Sequence, residues 1–445
     1  MPPLKSLSLR QNFSWTFAGN IIYAASQWGM LVVLAKLGSP EMVGQFTLGL
    51  AVTAPVIMFG NLQLRQIQIT DVKQQYVFGD YLGLRLICLG LSLLTIAIIT
   101  LVAGYRWEVC LVIFTIGLSK AIESISDVFH GLFQFNERMD RIAISLSIKG
   151  PLSLLMLAIG VYTTHTVLGG AIGLTATWAV VLLCYDLPRG LAILKAAPSA
   201  HSLEAAQTSN PRRQNLAYWL QPRFDLNTLR SLVTLSLPLG LVMMLISLNA
   251  NVPRYFIERY LGERELGIFS ALSYLMIAGG IVVSALGQSA SPRLAKYYAA
   301  GNSKEYKSLL FKTLLIGVLL GGVSSLVAAI AGKQILTILY RPEYAQQVYL
   351  FVLLMVAAGI GYVASFMGYG MTAAQYFRVQ MPLFTITTGI SAAICFWLVP
   401  TQGSIGAAIA LIVGSIAQAL LSLGVIFHAL NKIAKSSQAT ESTLD

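Results

Sequence analysis

Repeated apolar stretches of membrane-spanning length constrain this chain more than any other feature of its sequence. Each stretch has about 20 residues or more, the length that an α-helix needs to cross a hydrocarbon core of about 30 Å. Backbone polar groups in lipid must be satisfied within such helices, so the sequence predicts an all-α polytopic membrane protein. We predict about twelve spans, at 13–35, 42–63, 79–104, 108–133, 141–162, 167–186, 229–252, 266–290, 309–331, 345–374, 379–399 and 404–428.

The composition agrees with a chain that lipid covers. Of 445 residues, 56% are hydrophobic and 11% are charged, and the mean hydropathy is +0.71. A soluble domain has about a quarter of its residues charged. The first apolar stretch is too long for a signal peptide and no cleavage site clearly follows it, so we expect an uncleaved first span.

The distribution of positive charge predicts the orientation. Most of the 30 Lys and Arg residues fall on the side of the N-terminus, where Lys5 and Arg10 precede the first span. The positive-inside rule makes that side cytoplasmic, and an even number of spans places both termini there. The net charge of +12 is therefore a signal of topology, and we expect no nucleic-acid partner. We predict a multi-pass protein of the cell membrane, or of the inner membrane if the source is bacterial, in contact with membrane lipids.

A long polar segment divides the spans into two groups of six. It is rich in Ala, Ser, Asn and Pro, which is typical of a mobile linker. The predicted organisation is a cytoplasmic N-terminus at 1–12, a bundle at 13–186, a cytoplasmic linker at 187–228, a second bundle at 229–428 and a cytoplasmic tail at 429–445. A weak repeat supports two parallel halves, since Leu37-Gly38 and Leu261-Gly262 each follow the first span of a half. Parallel repeats are a known plan of transporters.

Span four carries a continuous polar face. Its members recur at spacings of three and four residues and are Lys120, Glu123, Asp127, His130 and Gln134. A charge at mid-membrane costs about 2.5–3.5 kcal/mol, so this face should contact protein or water. Two interpretations stay open: a packing stripe in which Lys120 pairs with Glu123, or one wall of a hydrated cavity.

Three further cations lie in or near predicted spans. Lys149 precedes Gly150-Pro151, a pair that loosens a helix. Arg85 either reaches the inner headgroups or faces the interior, and Arg254 either pairs with Glu258 or lies at the rim of a cavity. Arg85, Lys120 and Lys149 together would suit a ligand with an anionic head, because Lys and Arg are the usual phosphate binders.

Neutral hydrogen-bonding residues form stripes in spans one and ten. Such residues either join helices to one another or line a cavity, where Tyr and Asn would suit sugar hydroxyls. The candidates from these stripes are Asn20, Tyr23, Tyr362 and Tyr369.

Several kinds of chemistry have no motif in the sequence. The four cysteines and four histidines have no spacing that suits a disulfide framework or a metal site. A phosphate-binding loop of the Gly-x-x-x-x-Gly-Lys-Ser/Thr type is also missing, so the chain is not itself an ATPase. We therefore predict a transporter rather than an enzyme, without a cofactor and with an unidentified coupling ion, H⁺ or Na⁺.

Six segments carry a resemblance to a known family. They are LAKLGSPEMVGQF (34–46), LQLRQIQITD (62–71), YLGLRL (81–86), FNERMDRIAIS (135–145), NVPRYFIERYLGERELGIFSAL (251–272) and GQSASPRLAKYY (287–298). In their order and placement the chain resembles the oligosaccharide flippases of the polysaccharide transport family. That family is part of the multidrug/oligosaccharidyl-lipid/polysaccharide exporter (MOP) superfamily.

The resemblance implies two six-helix bundles that form a V-shaped central cavity with a cationic lining. It also implies alternating access that moves a polyprenyl-pyrophosphate-linked oligosaccharide to the outer leaflet for cell-surface polysaccharide synthesis. Arg85 and Arg254 match positions typical of these sequences. The candidate roles of Lys120, Lys149, Glu123 and Asp127 depend only on their positions within the predicted spans.

Two other functions stay open at this point. One is a cation-coupled multidrug exporter of the same fold, in which Glu123 and Asp127 would serve as the proton site. The other is a scaffold for glycan-assembly enzymes. We expect a monomer whose substrate is a lipid-linked oligosaccharide, with a glycan polymerase or other assembly enzymes as partners.

Overall fold

The computed structural model describes residues 8–71, 73–196 and 220–441. These residues form helices joined by short turns, and a single π-helical turn interrupts the sixth long helix. The helices are α1 (Leu9–Leu37), α2 (Pro40–Gly60), α3 (Leu64–Thr70), α4 (Phe78–Val102), α5 (Trp107–Phe135), α6 (Met139–Thr164), α7 (Val167–Val181), the π turn (Leu182–Asp186), α8 (Leu187–Ala196), α9 (Leu226–Tyr274), α10 (Met276–Ala299), α11 (Ser303–Leu339), α12 (Pro342–Ala345), α13 (Val348–Ala373), α14 (Phe377–Gln402) and α15 (Ser404–Glu441).

The predicted all-α polytopic architecture is confirmed. Within the described residues, 11 helical stretches are long and apolar enough to cross a membrane. One of them, Leu226–Ala299, has 74 residues and contains both predicted spans seven and eight. The chain is therefore a multi-pass membrane protein.

The connection between predicted spans seven and eight is a kink at Gly262. The range of α9 contains two helical segments, which meet at Gly262 with φ 84° and ψ −178°. Glycine adopts that conformation without strain because it has no Cβ. In the first copy of the repeated Leu-Gly pair, Gly38 likewise ends α1. In both halves, the glycine of the repeated Leu-Gly pair therefore lies where a helix ends or is interrupted.

Side-chain caps set several helix starts. The Ser39 hydroxyl accepts a hydrogen bond from the Met42 amide at the start of α2, and the Thr166 hydroxyl does the same for Gly169. The Asn302 side chain accepts one from the Glu305 amide. Caps of this kind satisfy amides that have no partner within the helix. The Asn302 cap explains why α11 begins at Ser303, six residues before the predicted span.

The chain divides into two compact units, Met1–Met244 and Leu245–Asp445. The division falls inside α9, because Leu229 and Leu232 lie in the core of the first unit together with Phe129 and Phe133. The core of the second unit includes Leu294, Tyr306, Leu310, Met371 and Ile426.

The predicted linker 187–228 is partly helical. Its first ten residues form α8, which continues from the π turn, and 197–219 lie outside the described residues. The chain is described again from Leu220, and the Arg223 amide donates a 2.9 Å hydrogen bond to the Gly79 carbonyl of α4. The predicted boundaries of the bundles, including the N-terminal segment 1–12 and the tail 429–445, stay predictions.

Candidate functional site

One group of polar side chains surrounds the indole of Trp178 on α7. The Lys120 ammonium lies 4.8 Å from the ring centroid, and the Lys149 ammonium of α6 lies 5.9 Å from it. Lys120 pairs with Glu123 at 3.0 Å, and the Tyr23 hydroxyl of α1 donates a 2.6 Å hydrogen bond to the same carboxylate. We call these five residues the Trp178 cluster.

The neighbouring helices hold the indole in a fixed position. Trp178 is buried, and its Nε1 donates a 2.8 Å hydrogen bond to the Ser153 hydroxyl of α6. A fixed ring face can attract both ammonium groups by cation–π interaction. Gly150 lets α1 approach α6 at this level, because a Cβ there would lie 2.9 Å from the Ser26 hydroxyl.

The Trp178 cluster has an open side and a closed side. The side chains of Lys120 and Glu123 are 25% and 30% exposed, whereas Lys149 is 1% exposed. A charged pair that is partly exposed in a membrane-spanning helix should face water or a polar ligand, since exposure to hydrocarbon is costly. The open side therefore suits the binding of a polar group.

A second group centres on Asp127, one turn further along α5. Its carboxylate lies 3.3 Å from Arg65 and 3.3 Å from Arg85. Arg65 also donates a 2.8 Å hydrogen bond to the Gln134 side chain, and Arg85 donates one to the Asn61 side chain. We call these five residues the Asp127 cluster.

The Arg85 side chain connects two helical segments inside the first unit. Its side chain is completely buried, so it neither extends to the headgroups nor contacts an open cavity in this structure. It joins Asp127 of α5 to Asn61, the residue after α2, where Leu62 and Gln63 take left-handed backbone conformations with φ of 49° and 51°. A non-glycine residue in that region costs free energy and persists only where neighbours hold it. The geometry therefore favours a positioning role for Arg85.

A third group surrounds Asp186, at the end of the π turn. The turn forms because the Leu187 amide donates to the Leu182 carbonyl, five residues earlier. Asp186 is completely buried; His130 Nε2 lies 3.5 Å from its Oδ1, and Lys149 Nζ lies 3.8 Å from its Oδ2. The Ser145 hydroxyl lies 3.3 Å from the same His130 nitrogen. We call His130, Ser145, Lys149 and Asp186 the Asp186 cluster.

Sequence reasoning missed Asp186 and Trp178. Asp186 is the last residue of predicted span six, and polar residues follow it soon afterwards. The periodic apolar residues that continue through Leu187–Ala196 were the available signal that the helix does not end there. Trp178 gave no signal, since a tryptophan in an apolar span is ordinary. Arg65 also was not among the predicted site residues, and its side chain contacts Asp127.

The remaining predicted site residues lie apart from these clusters. Asn20 is exposed on α1, three residues before Tyr23. Tyr362 donates a 2.6 Å hydrogen bond to the Met276 carbonyl, and the Tyr369 ring packs against Gly287. Both tyrosines therefore join α13 to α10. These contacts agree with the interpretation in which the polar residues of predicted span ten join helices.

Arg254 lies in the second unit and is half-buried. It donates hydrogen bonds to the side chains of Asn251, at 2.6 Å, and Ser273, at 3.4 Å. Amide and hydroxyl groups, rather than the carboxylate of Glu258, are therefore its contacts in this structure. Among the described residues, no group of three His, Cys, Asp or Glu side chains is placed to hold a metal ion.

Charged side chains inside a bundle of membrane-spanning helices mark the candidate functional interior of a polytopic membrane protein. Comparison with known proteins shows what the chain is similar to. Residues 238–397 match the MatE family model. The chain is 26% identical over 405 residues to the capsular polysaccharide biosynthesis protein CapF of Staphylococcus aureus, covering 90% of this chain and 94% of that protein.

Solved structures show the same fold at low sequence identity. A multidrug resistance MATE family transporter of the MOP superfamily, in an inward-facing conformation, has a TM-score of 0.65 and 13% identity over 95% of this chain and 99% of that chain. A mutant of the Vibrio cholerae MATE transporter VcmN has a TM-score of 0.61 and 14% identity over 96% and 97% of the two chains.

A third solved structure is a MOP superfamily transporter from Pyrococcus furiosus, whose binding pocket of reverse polarity suggests a different function for that protein. It has a TM-score of 0.57 and 15% identity over 94% of both chains. These structures show that the chain shares the fold of MOP superfamily transporters, and the match of residues 238–397 to the MatE model agrees with the resemblance found in the sequence.

Proposed function

We propose that this chain is a flippase that moves a polyprenyl-pyrophosphate-linked oligosaccharide from the inner to the outer leaflet of the cell membrane. The transport would supply cell-surface polysaccharide synthesis and would proceed by alternating access. The relative CapF, which aligns along 90% of the chain, is a protein of capsular polysaccharide biosynthesis. This relationship supports the substrate class, and the Trp178 cluster supports the chemistry.

The observation that carries the proposal is the pair of ammonium groups beside Trp178, one of which is partly exposed. Lys120 and Lys149 face one indole, and Glu123 and Asp186 are the carboxylates beside them. Lysine ammonium groups bind phosphate oxygens as compact point charges. A pyrophosphate would contact the cluster at the exposed side of Lys120.

The sugar and the prenyl tail of the substrate would each have a different environment. Tyr23 and Asn20 lie on the same face of α1, three residues apart, and offer hydrogen-bonding groups to sugar hydroxyls. The prenyl tail would stay in lipid while the polar head crosses. Binding must differ between the two conformations, because a ligand with equal affinity for both shifts neither.

A cation-coupled multidrug exporter is the second candidate, and the fold of the solved MATE transporters favours it. The interior of the first unit argues against it. Glu123 pairs with Lys120, Asp127 with Arg65 and Arg85, and Asp186 lies beside Lys149. A cationic drug would therefore have to compete with an internal cation for each of these carboxylates.

Depletion of the protein tests the proposal in cells. Polyprenyl-linked glycans should accumulate in the cytoplasmic leaflet, and a wild-type copy should restore their normal sidedness. The K120A variant should fail to do so. K333A, which removes an exposed lysine of α11, should restore it fully. Unchanged glycan sidedness together with increased drug sensitivity would support the exporter instead.

A further inference from the structure

Lys149 belongs to two clusters at once. Its ammonium lies 3.8 Å from the Asp186 carboxylate and 5.9 Å from the centroid of the Trp178 ring. It also interacts electrostatically with Glu123. Lys149 is buried, so water screens its charge little. Its attraction for an anion beside Trp178 therefore depends on how far Asp186 neutralises it.

Asp186 in turn has two partners that can carry a positive charge, and the Ser145 hydroxyl also acts on it. His130 lies 3.5 Å from one oxygen and Lys149 lies 3.8 Å from the other. Both distances exceed those of strong hydrogen bonds, and neither oxygen accepts a hydrogen bond within that limit from the described residues. A buried carboxylate in this position gains much from a second full positive charge. Whether it has one depends on a single proton on His130.

Other charged groups near His130 have partners of their own. Arg141 donates a 2.8 Å hydrogen bond to the Arg189 carbonyl and lies over the Phe133 ring. The charged or titratable groups on the elements around His130 include Lys120, Glu123 and Asp127 of α5, Asp140, Arg141 and Lys149 of α6, Cys184, Tyr185 and Asp186 of the π turn, Arg189 and Lys195 of α8, and Arg65 of α3. Since Arg65 is held by Asp127, the charge of His130 acts first on Asp186 and through it on Lys149.

We propose that His130 and Asp186 form a proton site that controls the anion affinity of the Trp178 cluster through Lys149. This inference rests on the proposed function. When His130 is neutral, Lys149 neutralises Asp186. When His130 takes up a proton, the imidazolium neutralises Asp186, and the Lys149 charge becomes available to an anion beside Trp178. One proton is bound and no covalent bond to the substrate forms.

The coupling works in both directions. Thermodynamic linkage requires that if protonation of His130 strengthens anion binding, anion binding strengthens protonation by the same factor. Histidine is the side chain that ordinarily changes charge between pH 5 and 8. In this proposal the Asp186 cluster is the place where the proton binds.

Anion binding at two pH values tests the inference on the purified full-length protein. The probe is P1,P2-dimethyl diphosphate, a diester whose two charges do not titrate between pH 5 and 8. Isothermal titration calorimetry should show an affinity about tenfold higher at pH 6 than at pH 8 for the wild type. The H130N variant should keep the pH 8 affinity at both values. H165N, at an exposed histidine beyond α6, should behave as the wild type.

A second variant separates coupling from structural support. In D186N the carboxylate that holds Lys149 is gone, so the affinity should equal the wild-type pH 6 value at both pH values. A residue with only a structural role would weaken binding at both. A wild-type affinity that does not change with pH, or a normal pH dependence in H130N, would overturn the proton site and leave the proposed function standing. A lack of probe binding at any pH would instead contradict the anion site of the proposed function, and the coupling with it.

Discussion

The Tyr23 hydroxyl donates a 2.6 Å hydrogen bond to the Glu123 carboxylate, which joins α1 to α5 across the first unit. The same carboxylate accepts a 3.0 Å hydrogen bond from Lys120. Glu123 therefore fixes one helix and neutralises one lysine at the same time. The second lysine beside Trp178 is left to share its charge with Asp186, on the opposite side of the cluster.

Replacement of Tyr23 by Phe should loosen this connection. The variant loses a hydrogen bond to a charged acceptor, and the expected cost in the free energy of unfolding is about 1–2 kcal/mol. Thermal unfolding of the purified protein should show a lower Tm. Y349F, at a tyrosine that is 65% exposed, is the control and should leave the Tm unchanged. Equal Tm values for the two variants would show that the Tyr23 contact does not stabilise the fold.

Arg85 and Arg65 should differ in their effect on folding although both pair with Asp127. Arg85 is completely buried, whereas the Arg65 side chain is 27% exposed. Removal of the buried Arg85 side chain leaves a cavity and takes a partner from Asn61 and Asp127, so R85A should reduce the yield of folded protein severely. R65A should cost about 1 kcal/mol. The measurement is the monodisperse fraction after detergent extraction, and a normal fraction for R85A would contradict the positioning role of Arg85.

Two adjacent glycines of α11 offer a matched test of helix packing in the second unit. A Cβ on Gly321 would lie 2.3 Å from the Gly359 Cα of α13, whereas a Cβ on Gly322 would have no neighbour within 4 Å. G321A should destabilise the protein by about 1–3 kcal/mol through overpacking. G322A should be neutral or stabilising by up to about 1 kcal/mol, because alanine favours helices. Thermal unfolding distinguishes them, and equal stability would mean that α11 and α13 do not pack this closely.

Replacement of Trp178 by Phe should weaken anion binding more than folding. The variant keeps an apolar ring, but it has a weaker attraction for cations and loses the hydrogen bond to Ser153. Transport and the affinity for dimethyl diphosphate should both fall several-fold. W397F, at a tryptophan that is 77% exposed, should change neither quantity. Unchanged affinity in W178F would remove the indole from the proposed site.

The architecture was predictable because lipid imposes strict rules on backbone and charge. Apolar stretches of sufficient length gave the twelve spans, and the spacing within span four placed Lys120 three residues before its partner Glu123. The helical segments that extend to Gly262 and continue beyond it were not predicted, since predicted spans seven and eight left 253–265 between them. The structure joins the two segments at a kink, where Gly262 leaves helical geometry.

The candidate site was predictable only in part, because its remaining contacts join residues distant in sequence. Lys149 was recognisable as a costly charge, but its neighbours Asp186 and Trp178 come from another helix. The π turn that directs Asp186 inward has no signature in its sequence, Leu182–Asp186. The burial of Arg85 likewise depends on Asn61 and Asp127, which spacing along α4 does not reveal.

Reconstituted transport tests the central claim most directly. Purified protein in liposomes would be supplied with a polyprenyl-pyrophosphate-linked oligosaccharide, and the fraction of glycan accessible to an impermeant hydrolase would be followed with time. Liposomes with wild-type or K333A protein should equilibrate the lipid between leaflets, whereas K120A and protein-free liposomes should not. If wild-type protein moves no more lipid than protein-free liposomes, or if K120A moves it as fast as the wild type, the flippase function with its anion site beside Trp178 is contradicted.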